Sequence, residues 1–271
     1  MRLPINSRAS LYAAAFWGMW LRDAHILRTS ARTFVTRVIM QPLFLIFVFA
    51  YVFPRIGQEI RAAGDASFAT ILAPGLTAFA IVFQGINLVA FPLVNEISAS
   101  REIEDRVMAP LPTTALAIEK LLFGAFQGLI AVLIVFPLLY FVPAANVDVR
   151  IESWLLLMVV LLLSTITAGA AGLAIGTVMK PTQIPLVVSV ITMPVIFLGC
   201  VFYPWQELES IPWLQMMVLL NPLVYVSEGL RASLTPQLPH LLPWVSMGAL
   251  LVAIVVLGAV GVRGFHKRVL D

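Results

Sequence analysis

WLLLMVVLLLSTITAGAAGLAIGTVM, residues 154–179, runs its whole length without a charged side chain. A bilayer core about 30 Å thick needs roughly 20 apolar residues in helical conformation, at a rise of about 1.5 Å each. This stretch is long enough, and a helix that is apolar on every side belongs in lipid or in a large core. Outward from it lie five further charge-free runs, at residues 38–53, 71–95, 121–142, 184–203 and 241–262. The first reaches spanning length only if it begins near Phe34 and Arg37 snorkels to the interface. A seventh apolar stretch, residues 211–226, is broken by Pro212, Asn221 and Pro222 and reads as a re-entrant or interfacial element. The expectation is an all-α integral membrane protein with six transmembrane helices.

Composition agrees. Of 271 residues, 61% are hydrophobic and 11% charged, against roughly half and a quarter in an ordinary soluble domain. So few charges cannot cover a water-soluble surface of this size. The same figures exclude a disordered chain, and a lone Cys200 excludes a disulfide framework. The net charge of +3 needs no nucleic-acid partner, because the positive-inside rule accounts for it. With the N-terminus cytoplasmic, the inner connections collect the Arg2 to Arg37 group, Arg101, Arg106, Lys120, Lys180, Arg263, Lys267 and Arg268. Only Arg55, Arg61, Arg150 and Arg231 fall outside. Both termini are therefore expected on the cytoplasmic side. The apolar run at residues 11–21 lacks a small-residue cleavage site and is followed by Arg22, Asp23, His25 and Arg28. It reads as a retained amphipathic helix, with Tyr12, Phe16, Trp17 and Trp20 at headgroup level.

Chemistry inside a membrane usually announces itself as ionisable side chains within the spans. The six runs have none, which argues against proton-coupled transport and intramembrane hydrolysis. His25, His240 and His266 lie at or beyond span ends and lack metal-ligand spacing, so no metal site and no catalytic residue is expected. No GxxxxGK[ST] loop occurs, so the chain does not bind ATP in that way. Energy for uphill movement has to enter from a partner.

A partner would grip the connection between the second and third runs, NEISASREIEDRVMAPLPTT at residues 95–114. Ile103, Val107 and Met108 give a short helix there one apolar edge beside Glu102, Glu104, Asp105 and Arg106. Pro110 and Pro112 stop it, and Thr113 or Thr114 is placed to cap the helix that follows. This stretch, from Leu93 through Arg101-Glu102 to Pro112 and Glu119-Lys120, resembles the cytoplasmic coupling segment of type-2 ABC exporter permeases. A second block is similar to the segment before that family's last span: FLGCVFYP at residues 197–204, IPWL at 211–214, LNPLVY at 220–225 and EGLR at 228–231. The chain departs from the family pattern at Ile103-Glu104 and at Ala109.

The resemblance implies a single transmembrane permease domain over residues 1–271 in the bacterial plasma (inner) membrane. The resemblance covers the chain from about Arg28 onward and makes 96–114 a cytoplasmic coupling loop and 204–238 external re-entrant helices; the N-terminal amphipathic interfacial helix, residues 1–33, is read from its own residues. The implied partners are nucleotide-binding ATPase subunits, which carry ATP and Mg, and a second copy or a sister permease. Membrane lipid and an amphipathic or glycan substrate complete the set. Arg101, Glu102, Ile103, Glu104, Asp105, Arg106, Val107, Met108, Pro110 and Leu111 would couple to the ATPase. Asn221 and Pro222 would break the re-entrant segment; from their spacing Glu228 and Arg231 are placed to pair on one helical face, either as part of an external gate or only to neutralise each other near lipid. Gln84, Asn87, Gln127 and Thr165 are candidates for a substrate path, although span amides and hydroxyls more often bond between helices. Gly124-x-x-x-Gly128 and the series Ala168, Gly172, Gly176 mark close helix contacts. Relatives of this kind export drugs, lipids, glycolipids or oligosaccharides, or polysaccharides and teichoic acids. A membrane assembly factor or an interfacial membrane enzyme is the alternative from another class.

Overall fold

The computed structural model describes residues 8–56, 67–98, 112–142, 147–179, 183, 190 and 193–270. Among the described residues there is no strand. The stretch quoted first becomes helix α5 (Trp154–Val178), and it is the central post of the molecule. Before it come α1 (Arg8–Thr29), α2 (Ala31–Ile46), α3 (Phe68–Ser98) and α4 (Thr113–Phe141). After it come a 3-10 turn at Trp205–Ser210, two short helices α6 (Pro212–Val218) and α7 (Pro222–Leu234), and finally α8 (Pro243–Leu270).

Helix α5 packs most extensively on α3 and α8, then on α4 and α7. Its sequence explains how one helix serves so many neighbours. Ser153 starts it by accepting the Leu156 N–H, and the first half shows Leu155, Met158 and Leu162 to lipid. The second half is built from Gly, Ala and Thr and is enclosed. A Cβ on Gly169 would stand 2.6 Å from the Leu121 carbonyl oxygen of α4, and one on Gly172 2.9 Å from the Gly85 carbonyl oxygen of α3. The small residues let backbones approach where lipid gives no hydrophobic drive for association. Gly124 and Gly128 meet Val89 and Thr165, and Gly176 meets Ala90 of α3, so the expected small-residue series are packing surfaces.

Among the described residues, five helices are long and apolar enough to cross a membrane: Ala31–Val52, Phe68–Glu96, Thr113–Phe141, Trp154–Val178 and Pro243–Arg268. They coincide with five of the six expected runs. The first starts well before residue 38, as snorkelling by Arg37 requires, and continues past α2 as a π-helical stretch, Phe47–Val52. The expected fifth run, residues 184–203, lies largely outside the described residues. Its end is described: residues 193–197 are helical and 198–203 form turns. Helix α4 begins eight positions earlier than the charge-free run, because Glu119 and Lys120 are accommodated inside it. The expected threonine cap is absent there. Pro112 takes the N-cap position with no side-chain bond, and Thr113 instead bonds His266 Nδ1 of α8 at 2.8 Å.

Helix α1 is not a freely floating interfacial helix. Trp17 and Tyr12 are exposed, which suits headgroups. Trp20, however, packs edge-on against Phe123 of α4 with ring centroids 5.1 Å apart.

Candidate functional site

The broken segment before α8 carries a dense set of polar contacts. Pro212 starts α6, Leu219 and Leu220 turn, and Asn221 caps α7 by accepting the Leu223 N–H at 3.0 Å. Pro222 sits in the first turn, where a missing N–H is harmless. The Asn221 amide also donates to the Val195 carbonyl at 2.8 Å, so the break is fastened to the preceding segment as well as capped.

Helix α7 does not lie at the surface. From Val226 to Leu234 every residue is buried, against α3, α5 and α8. Glu228 and Arg231, both 0% exposed, form an ion pair one turn apart. The carboxylate is satisfied further: Oε1 accepts the Trp205 N–H at 3.0 Å and Oε2 the Leu241 N–H at 2.8 Å. Arg231 Nη2 donates to the Cys200 carbonyl at 3.1 Å. Cys200 holds a left-handed backbone with φ of 53°, a conformation that costs a non-glycine residue energy unless surroundings enforce it. The pair thus joins four points of the chain: the turn at Cys200, the 3-10 start at Trp205, α7 itself and the entry to α8. Charges removed from water are tolerated when paired and hydrogen-bonded in this way.

A cluster that sequence spacing did not reveal joins the first half of α4 to α1 and α3. Lys120 Nζ is 2.7 Å from Asp23 Oδ2 of α1 and 3.0 Å from Glu96 Oε1 of α3. These partners are separated from Lys120 by 97 and 24 positions, so no helical periodicity links them. Lys120 was visible only as the basic end of the coupling stretch. Glu96 and Lys120 flank the loop that carries Arg101, Glu102, Ile103, Glu104, Asp105, Arg106, Val107, Met108, Pro110 and Leu111. Those ten positions lie outside the described residues.

The four substrate-path candidates do not converge. Gln84 is buried and donates to the Arg37 carbonyl at 3.2 Å, tying α3 to α2. Thr165 bonds back to Leu161 and Leu162 within α5, both at 3.0 Å. Asn87 lines an apolar cavity of about 210 Å³ between α3, α5 and the Val195–Leu223 region. Asn221 and Pro222 line the same cavity, so one path candidate and two gate candidates do meet. Gln127 lines a different cavity, beside α1. Among the described residues no group of His, Cys, Asp and Glu is arranged to hold a metal ion.

Comparison with known proteins gives the assembly its context. The chain matches the ABC-2 type transporter family over residues 13–235. It is 29% identical over 224 residues to the inner membrane transport permease YadH of Escherichia coli (strain K12), a match covering 82% of this chain and 83% of the relative. The same identity and coverage hold for the YadH proteins of Escherichia coli O157:H7 and Shigella flexneri. The matched region takes in α3, α4, α5 and the whole of α7 with its buried pair, so the chain belongs to the ABC-2 type transporter family and is a membrane-spanning permease subunit.

Proposed function

We propose that this subunit carries an amphipathic drug, lipid or glycolipid/oligosaccharide outward across the bacterial inner membrane, with both termini cytoplasmic. ATP and Mg are bound by separate ATPase subunits, which grip residues 101–111. A second copy or a sister permease completes the path, and closure of the ATPase pair rocks the two bundles. The observation that carries the substrate class is the cavity between α3, α5 and residues 195–223. Phe79, Phe83, Ile86 and Leu257 give it apolar walls; the Asn221 amide is engaged by Val195 and Leu223 and the Asn87 amide N–H by the Phe83 carbonyl, so the Asn87 side-chain oxygen is its polar point. An apolar chain with a few hydrogen-bonding groups is complementary to such a lining.

The test is ATP hydrolysis by the complex reconstituted with its ATPase. Amphipathic compounds should stimulate it, and Asn87→Leu should remove the stimulation while leaving basal hydrolysis in place. Stimulation that is unchanged in Asn87→Leu would refute the assignment of this cavity. Replacing residues 102–106 by alanine should abolish binding of the ATPase, and persistent binding would refute the coupling role.

A second reading, export of a long polysaccharide, draws on the aromatic groups near the end of the first span. Phe47 stacks on Tyr51 at 5.3 Å, and Phe49 touches both Phe53 and Phe202 at 5.2 and 5.1 Å. Sugar rings bind to such faces. Stimulation by a glycan and by no lipid-like compound would favour this reading over the first.

A further inference from the structure

Arg37 lies within the first membrane-capable helix, Ala31–Val52. A guanidinium at such a position is costly unless an anion or a wet cavity receives it. The side chain is exposed and lines an open cavity of about 310 Å³ formed by residues of α1, α2, α3 and α4. Two carboxylates share that cavity, Asp23 and Glu96, and Lys120 bridges them. Neither forms an ion pair with Arg37. Thr33 stands one helical turn before Arg37 and lines the same cavity, so its hydroxyl and the guanidinium share a face of α2. Ser30, also in the lining, already donates its hydroxyl to the Ile26 carbonyl at 2.7 Å. The same lining also has an apolar part, which includes Leu27, Phe34, Val89 and Phe123.

A guanidinium with an adjacent hydroxyl donor, in a lining that is partly apolar, matches a phosphate ester attached to acyl chains. Arginine is suited to phosphate because its planar fork offers parallel donors. We infer that this cavity binds a phospholipid of the bilayer, its phosphate held by Arg37 and Thr33 and the start of one acyl chain lying against Phe34 and Phe123. The inference rests only on α2 spanning the membrane. It requires neither ATP nor the transported substrate, so its failure leaves the transport reading untouched.

The full-length protein, delipidated in detergent and then supplied with defined lipids, provides the test through native mass spectrometry of the retained lipid. Phosphatidylglycerol and phosphatidylethanolamine should both be retained, and a phosphate-free diacyl galactolipid should not. Arg37→Ala should weaken retention on the order of tenfold, the scale of one charge-assisted hydrogen bond. Arg37→Lys should restore part of it, and Thr33→Val should weaken it less than Arg37→Ala does. Because Arg37 and Thr33 are exposed, these variants are expected to fold, and an unchanged thermal transition without lipid verifies this. Equal retention of the galactolipid, or retention indifferent to Arg37→Ala, overturns the site. Displacement of the lipid by millimolar inorganic phosphate alone would assign the anchor to a free anion and overturn the lipid assignment.

Discussion

At the scale of single residues, the Glu228–Arg231 pair carries the clearest energetic statement. Both side chains are fully buried, and each also holds backbone groups of other segments. Removing one partner strands the other charge, which typically costs about 3–5 kcal/mol. Glu228→Ala and Arg231→Ala should therefore each lower the thermal transition in detergent sharply. The double variant should lose much less than the sum, because neither charge is then left alone. Additive losses would mean the two act independently. The three-residue spacing made the pair legible in the sequence. Its burial was not, because an isolated Glu and Arg in a connecting segment normally read as solvated, and here the segment folds inward. The Asp23–Lys120–Glu96 cluster was less legible still: its members belong to three different helices, α1, α4 and α3, and only tertiary packing brings them together.

At the scale of elements, the packing of α5 separates glycines that matter from glycines that do not. Gly169 and Gly172 meet the backbones of α4 and α3, whereas a Cβ on Gly258 of α8 meets nothing within 4 Å. Overpacking a tight helix contact costs about 1–3 kcal/mol or more. Gly169→Val and Gly172→Val should lower the thermal transition and reduce the monodisperse fraction in size-exclusion chromatography. Gly258→Val should leave both unchanged. A loss in Gly258→Val equal to that in Gly169→Val would contradict the packing described. The helices themselves were readable because a charge-free run of spanning length has few alternatives. Their starts were not, since charge-free counting places the third span at Leu121 and ignores the turns around Glu119 and Lys120 that α4 carries inside its body. The expected cap at Thr113 failed for a related reason: its hydroxyl has a better partner in His266, far away in sequence.

At the scale of the whole molecule, the proposed orientation rests on the basic residues in the connections, and it can be measured directly. Glu209 is exposed beside the 3-10 turn, and Lys267 is exposed near the end of α8. In intact cells, Glu209→Cys should react with a membrane-impermeant maleimide and Lys267→Cys should react only after permeabilisation. The native Cys200 is buried, so background labelling should be low. The reverse pattern would invert the topology. The overall arrangement was legible as six runs plus a broken segment, and five of those runs are helices long enough to span. Which helix stands at the centre was not legible, because all six runs look alike in hydropathy and only the glycines of α5 distinguish it. The inward position of α7 also bears on biogenesis. A short helix carrying Glu and Arg is a poor substrate for insertion on its own, and its carboxylate takes a partner, the Leu241 N–H, that is synthesised after it. The Glu228 carboxylate cannot be fully satisfied until Leu241 has been synthesised, so a nascent chain stalled before that residue is expected to be degraded faster than the full chain.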